Sequence, residues 1–400
     1  MIKYHTFAIE NINAVIGVFT GKYDTIPTFK LLLPLGISFY TFQSAGYIID
    51  VYRDKYECCN NIFKFALFVS FFPQIMQGPI GRYDRLSPQF NEPHYFSLEN
   101  TEYGLQLMLW GFFKKIVIAD RIGVVADKVF LHPYDYNGIF VIVGVLAYCL
   151  QLYADFSGGM DVVSGAAELY GIKLDKNFRQ PFFSKSISEF WRRWHITLGT
   201  WMKDYVFYPF SLSKKMMKFS KLMKKHFGTF AGKTLPICLA DLLIFFLVGV
   251  WHGAAWNFVA WGLYYGIILI IEKYILSPVL DKLPSVVRHI YSIVLVVIGW
   301  VLFFSPSLGG AARYLGMMFG AGAHGVADRE SLYLLTTNLV LWIILIIGST
   351  PLTDVRYQHM LRQKKWNTTL LNGIVYAVLF ILCIAYLVTE TYNPFLYFRF

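Results

Sequence analysis

The sequence predicts an all-α polytopic membrane protein, and three observations carry that reading. Hydrophobic residues make up 56% of the 400-residue chain and charged residues 15%, with a mean hydropathy of +0.47. A soluble globule of this size needs more polar cover than that. Apolar stretches recur near 29–49, 61–80, 103–125, 138–170, 235–251, 253–275, 289–304, 332–349 and 368–389. They amount to about nine crossings, at the roughly 20 residues that a spanning helix needs. Hydrocarbon offers the backbone no outside hydrogen-bond partner, so such stretches are helices. Gly, Pro or charge interrupts several of them, which marks some as re-entrant.

The net charge of +11 does not point to nucleic acid, because Lys and Arg cluster beside apolar segments as the positive-inside rule expects. The run from Ser213 to His226 and the cluster of Arg356, Arg362, Lys364 and Lys365 are both expected to face the cytosol. Residues 305–331, where Arg313 and Arg329 are balanced by Asp328 and Glu330, are then outside, and 276–288 inside. Cys58, Cys59, Cys149, Cys238 and Cys383 lack metal-ligand spacing and are read as packing residues. Met1 to Lys30 lacks the basic start, apolar run and cleavage site of a signal peptide. With no linker or repeat, residues 1–400 are read as a single membrane-embedded domain. Three regions depart from plain spanning helix: 73–95, 171–234 and 305–331.

Along the chain, Lys114 and Lys115 interrupt an apolar run, as at a segment end or a snorkelling site. Asp155, in Tyr153-Ala-Asp-Phe-Ser157, is a carboxylate in an apolar segment. It either orients a histidine, lines a path, or serves as a structural hydrogen-bonding group. Ser186-Ile-Ser-Glu189 has capping-box spacing and opens an amphipathic helix over 186–205. Ile187, Trp191, Trp194, Leu198, Trp201 and Tyr205 form its apolar stripe, Glu189 and Arg193 stand at i, i+4, and His195 lies at the stripe's edge. A basic helix lined by tryptophan suits the headgroup interface. The peptide from Phe246 to Trp261 holds His252 among roughly twenty otherwise uncharged residues, where an ionisable group is costly. It serves proton movement, ligand binding, catalysis, or helix packing.

Five ordered motifs carry a resemblance: Leu33-Pro-Leu-Gly-Ile-Ser-Phe-Tyr; Gln151-Leu-Tyr-Ala-Asp-Phe-Ser157; Asn177-Phe-Arg-Gln-Pro; Ser188-Glu-Phe-Trp-Arg-Arg-Trp-His195 with Thr200-Trp-Met-Lys-Asp-Tyr205; and Gly249-Val-Trp-His252-Gly-Ala-Ala-Trp256. Together with the ending Asn393 to Phe400, they resemble the membrane-bound O-acyltransferase (MBOAT) family, in particular its alginate O-acetyltransferase branch, over about 31–400. The resemblance implies a helical bundle with re-entrant and interfacial amphipathic helices around a central tunnel. It also implies further helices ahead of Leu33, so the N-terminus is read as shortened. After Tyr205 the chain departs from the branch, reading Tyr208-Pro-Phe-Ser-Leu-Ser and then the lysine run, so its cytosolic donor-side surface is expected to differ.

By the same resemblance, the chemistry is acyl transfer from a thioester to a hydroxyl, with His252 essential and His195 part of the site. Neutral imidazole is a suitable base for a hydroxyl near neutral pH. Oxyanion donors are sought among Asn257, Trp251, Trp256 and His195. Tyr153, Asp155, Ser157 and Trp194 are further substrate or tunnel candidates. Arg192 and Arg193 meet either donor phosphates or lipid headgroups. The expected activity is O-acetylation of a surface polysaccharide or cell-envelope glycan by a multi-pass protein of the cell membrane. Acetyl-CoA is the expected donor, with no bound cofactor or metal, and an extracytoplasmic acetyl-transferring partner is expected alongside. The alternatives are a D-alanyl transferase of teichoic-acid type, whose acidic acyl-carrier protein docks on the lysine run, and a transporter or flippase with a proton-relay histidine.

Overall fold

The structure is a computed structural model that describes residues 4–29, 34, 36–75, 77–131, 136, 138–322, 329–351, 366–389 and 395. The described residues are helical wherever they are regular, with no strand among them. Among the described residues five helices are long and apolar enough to span, and a pair bent by 60°, Arg329–Thr337 with Leu339–Gly348, makes up to six. The expectation of about nine is therefore reduced. The stretch at 29–49 yields a helix of 16 residues, Ile37–Tyr52, and that at 61–80 a helix of 9, Ile62–Ser70, stopped by the extended backbone of Phe71. The second basic cluster, Arg356 to Lys365, lies outside the described residues, as does the C-terminal motif apart from Phe395.

Lys114 and Lys115 do not mark a segment end. Helix α1, Leu98–Phe112, runs through a π-helical turn at Phe113–Ala119 into α2, Asp120–Leu131. The lysines turn inward against α3, Gly138–Glu168. Lys115 Nζ lies 2.8 Å from both Asp120 and Asp155, and Lys114 pairs with Asp161 and donates to Ser157 Oγ at 3.1 Å. Lys115 and Asp155 are buried, so their attraction offsets a desolvation cost of several kcal/mol per ion. α1 and α3 can approach this closely because glycines meet across the contact. A Cβ on Gly111 would stand 2.5 Å from the Gly158 carbonyl oxygen, and one on Gly165 2.5 Å from that of Gly104.

The helix expected over 186–205 is two helices. α4, Ile187–Arg193, and α5, Ile196–Met202, are separated at Trp194 and His195, and His195 is left-handed at φ 46°. The start is as expected: Ser186 Oγ accepts from Glu189 N–H at 3.0 Å, and Arg193 lies 2.6 Å from Glu189. The Glu189 carboxylate reaches back to Lys185 N–H, one residue beyond the expected partner, Ser186 N–H. The apolar stripe faces the protein interior instead of headgroups, with Ile187, Trp194, Leu198 and Trp201 all buried. The α4 N-terminus is further satisfied by the buried Glu272 carboxylate, which accepts from Ile187 and Ser188 N–H at 2.7 and 2.9 Å.

Helix α6, Lys214–His252, bends at Gly228, which sits at φ 84°. Its lysine-rich first arm folds back, with Ser220 Oγ donating to the Gly232 carbonyl at 2.7 Å. α7, Trp256–Ile271, returns antiparallel and continues through a π-helical turn that carries Glu272, and α8, Ser285–Phe304, packs beside it. α6, α7 with its continuation, and α8 are three of the helices long and apolar enough to span. Of the cysteines, Cys149 and Cys383 are buried, whereas Cys58 is exposed and does not fill a packing role.

Removing one partner of a buried ion pair strands the other charge. Lys115→Met is expected to destabilise the protein by about 3–5 kcal/mol, read as a lowered melting temperature in detergent. An unchanged melting temperature would show that the pair carries no weight.

Candidate active site

The site grows from two backbone interruptions. The first is the bend between α6 and α7, where Gly249 and Gly262 let the helices close: a Cβ on Gly249 would fall 2.4 Å from the Phe258 carbonyl oxygen, and one on Gly262 2.1 Å from that of Phe245. His252 is the last residue of α6 and is partly exposed, so it sits at the end of a candidate span, where the chain bends toward α7. Its ring meets Trp251, Trp261 and Phe303 edge to face, at 4.6, 5.0 and 5.1 Å between centroids. At a helix C-terminus the backbone dipoles favour a positive ring, the form imidazole takes after accepting a proton.

The second interruption is at His195. Segments 177–179 and 193–196 pair through Arg179 N–H to the Arg193 carbonyl at 2.9 Å and Ile196 N–H to the Asn177 carbonyl at 3.0 Å. These bonds hold the left-handed backbone of His195, a conformation that costs a non-glycine residue about 1–2 kcal/mol. The ring is buried, 5.0 Å from Phe156 and 6.0 Å from Trp251. Trp251 thus touches both histidines. His195 Nδ1 lies 3.2 Å from Asn177 Oδ1, and Nε2 has no hydrogen-bond partner among the described residues. Burial pushes the imidazole down to about 3, so the ring is neutral near pH 7.

Other expected site residues divide. Trp194 is buried and meets Trp300 at 5.0 Å, and Tyr153 meets Trp194 at 6.3 Å, so both join the aromatic cluster. Asp155 and Ser157 belong to the lysine network instead. Trp256 is 57% exposed, and its indole N–H donates to Asn11 at 3.1 Å, away from the histidines. Asn257 is buried and donates to the Phe303 carbonyl at 3.1 Å, which supports the residue stacked on His252. Arg193 is held by Glu189, whereas Arg192 is exposed and bonded to Ser188. Sequence reasoning passed over Trp261 and Trp300. Both are buried, and their indole N–H groups have no hydrogen-bond partner among the described residues. Trp261 stands in the same peptide as His252, which was the available signal.

Residues 59–308 match the model of MBOAT, the membrane-bound O-acyltransferase family, a span that contains both histidines. The chain belongs to this family. It is a multi-pass membrane O-acyltransferase. It is 34% identical to the probable alginate O-acetylase AlgI of Pseudomonas putida over the whole chain and 81% of that protein. It is 28% identical to the peptidoglycan O-acetyltransferase of Helicobacter pylori, over the whole chain and 79% of that protein. Likeness to the teichoic acid D-alanyltransferase of Bacillus subtilis is 30% over 61% of this chain and 60% of that one.

The depressed pKa of His195 has a consequence for stability. Below about pH 6.5 an unfolded imidazole takes up a proton, whereas the buried ring stays neutral until about 3. His195 therefore lowers stability progressively as pH falls through that window. Between pH 7.5 and pH 5, the melting temperature of wild type is expected to fall further than that of His195→Gln. Equal falls would contradict the burial.

Proposed function

We propose that this acyltransferase takes an acetyl group from a cytosolic thioester, acetyl-CoA, and passes it to a hydroxyl for O-acetylation of a surface polysaccharide or cell-envelope glycan. The observation that carries the reading is the pair of histidines on either side of Trp251, one at a helix end and one buried in its neutral form. The names of the O-acetylase and O-acetyltransferase relatives support the acetyl group and the glycan. The working site is the cell membrane, and the hydroxyl belongs either to the glycan or to an extracytoplasmic acetyl-transferring partner protein.

In this mechanism His252 takes the proton of the acceptor hydroxyl as its oxygen attacks the thioester carbonyl carbon. The C–O bond forms, and the carbonyl becomes an oxyanion. The indole N–H groups of Trp261, whose ring meets His252, and of Trp300 beside it are buried and without a hydrogen-bond partner among the described residues, which makes them better candidates to meet that charge than Trp256 or Asn257. Collapse breaks the C–S bond, and the imidazolium returns its proton to the departing thiolate. The C-terminal end of α6 favours the intervening cation.

A second reading has its own observation. Lys214, Lys215, Lys218, Lys221, Lys224 and Lys225 lie along the first arm of α6, a surface of the sign an acidic carrier protein would need. The partial likeness to the D-alanyltransferases agrees with such a donor.

The test is transfer from labelled acetyl-CoA in membranes carrying matched amounts of each protein. His252→Ala is expected to lose about a hundred- to ten-thousand-fold in rate. Transfer by His252→Ala at the wild-type rate would overturn the base assignment, and wild type active only with an acyl-loaded carrier would favour the second reading.

A further inference from the structure

Hydrogen-bond directions around Asn177 determine which nitrogen of His195 carries its proton. Thr197 backbone N–H points at one terminal atom of the Asn177 amide, at 3.0 Å. A backbone N–H can only donate, so that atom is the oxygen. The opposite end of the amide agrees, since Asn177 Nδ2 donates to Met160 Sδ at 3.3 Å. Thr197 adds a second donor. Its hydroxyl oxygen accepts from Ile80 N–H at 3.0 Å, which leaves the hydroxyl proton for Asn177 Oδ1 at 2.8 Å. His195 Nδ1 faces the same oxygen at 3.2 Å and so carries the proton.

We infer that Asn177 is a positioning residue that holds His195 as the Nδ1–H tautomer and thereby leaves the Nε2 lone pair as a proton acceptor. Asn177, Thr197 and His195 are all buried, so water does not compete for these bonds. The assignment removes neutral His195 from the possible oxyanion donors, since its other nitrogen, Nε2, bears no hydrogen. It leaves the ring one role that Asn177 never touches directly: Nε2 accepts a hydrogen bond from a donor group of the bound substrates other than the hydroxyl whose proton His252 takes. The tautomer stands on geometry alone, whereas its use toward a bound substrate rests on the acyl-transfer reading.

Solid-state nitrogen NMR of 15N-histidine-labelled protein in lipid bilayers reads the tautomer without any reaction, with His195→Gln identifying the signals that belong to this ring. The expected wild-type result is a protonated Nδ1 and a bare Nε2. A protonated Nε2 in wild type would overturn the inference, and this comparison needs no variant at Asn177. Asn177→Leu removes the acceptor and is expected to mix the tautomers and lower kcat roughly 10–100-fold with KM for the donor little changed. Asn177→Asp keeps an oxygen there and is expected to preserve the Nδ1–H form. Its charge also moves the acid limb of the rate profile to higher pH, because a carboxylate beside the ring favours the protonated imidazole. A folded Asn177→Leu with the wild-type spectrum would contradict the role. If wild type shows the Nδ1–H spectrum but transfers no acetyl from acetyl-CoA, the tautomer assignment is supported and the donor reading fails separately.

Discussion

Everything at the site depends on one constraint: a chain that leaves helical geometry inside an apolar bundle has to satisfy its freed backbone groups from within the protein. The break at Trp194 and His195 meets that demand through the strand-like pairing of 177–179 with 193–196, and through the Asn177 side chain on Thr197 N–H. The same bonds that make the break tolerable aim His195 at Trp251. Structural satisfaction and placement of a functional group are here one arrangement.

The surrounding helices hold that arrangement by close contact and by paired charge, since apolar surface alone gives helices in lipid little reason to associate. Glycine contacts bring α1 to α3 and α6 to α7 at backbone distance. Two of the π-helical turns turn a charged side chain inward, Lys115 toward Asp155 and Glu272 toward the start of α4. Phe156, next to Asp155 on α3, carries the edge contact to His195, so the lysine network also fixes one wall of the site.

Local features were legible in the sequence. The start of α4 at Ser186 and the Glu189–Arg193 pair depend on neighbours within four residues, and the His252 peptide stood out by its charge pattern. Features whose causes are distant in sequence were not. Nothing near His195 announces a left-handed backbone, because Asn177 lies 18 residues earlier and Ile80, which sets the direction of the Thr197 hydroxyl, lies 117 away from Thr197. Lys115 read as a segment end or a snorkelling site because its partner Asp155 is on another helix. Trp256 and Trp261 share one peptide, and only the close packing of the α6–α7 bend decides that the second of them faces His252. Fewer spanning helices stand among the described residues than apolar stretches in the sequence, because a count of apolar residues does not register the stop at Phe71.

The central claim is that His195 and His252 act as one site across Trp251. A double-mutant cycle with His195→Gln and His252→Gln, scored by acetyl transfer at matched expression, tests it most directly. Groups that serve one step lose their effects together, so the double variant is expected to be little slower than the more damaging single variant. Losses that multiply would contradict a shared site and assign the two histidines to separate tasks.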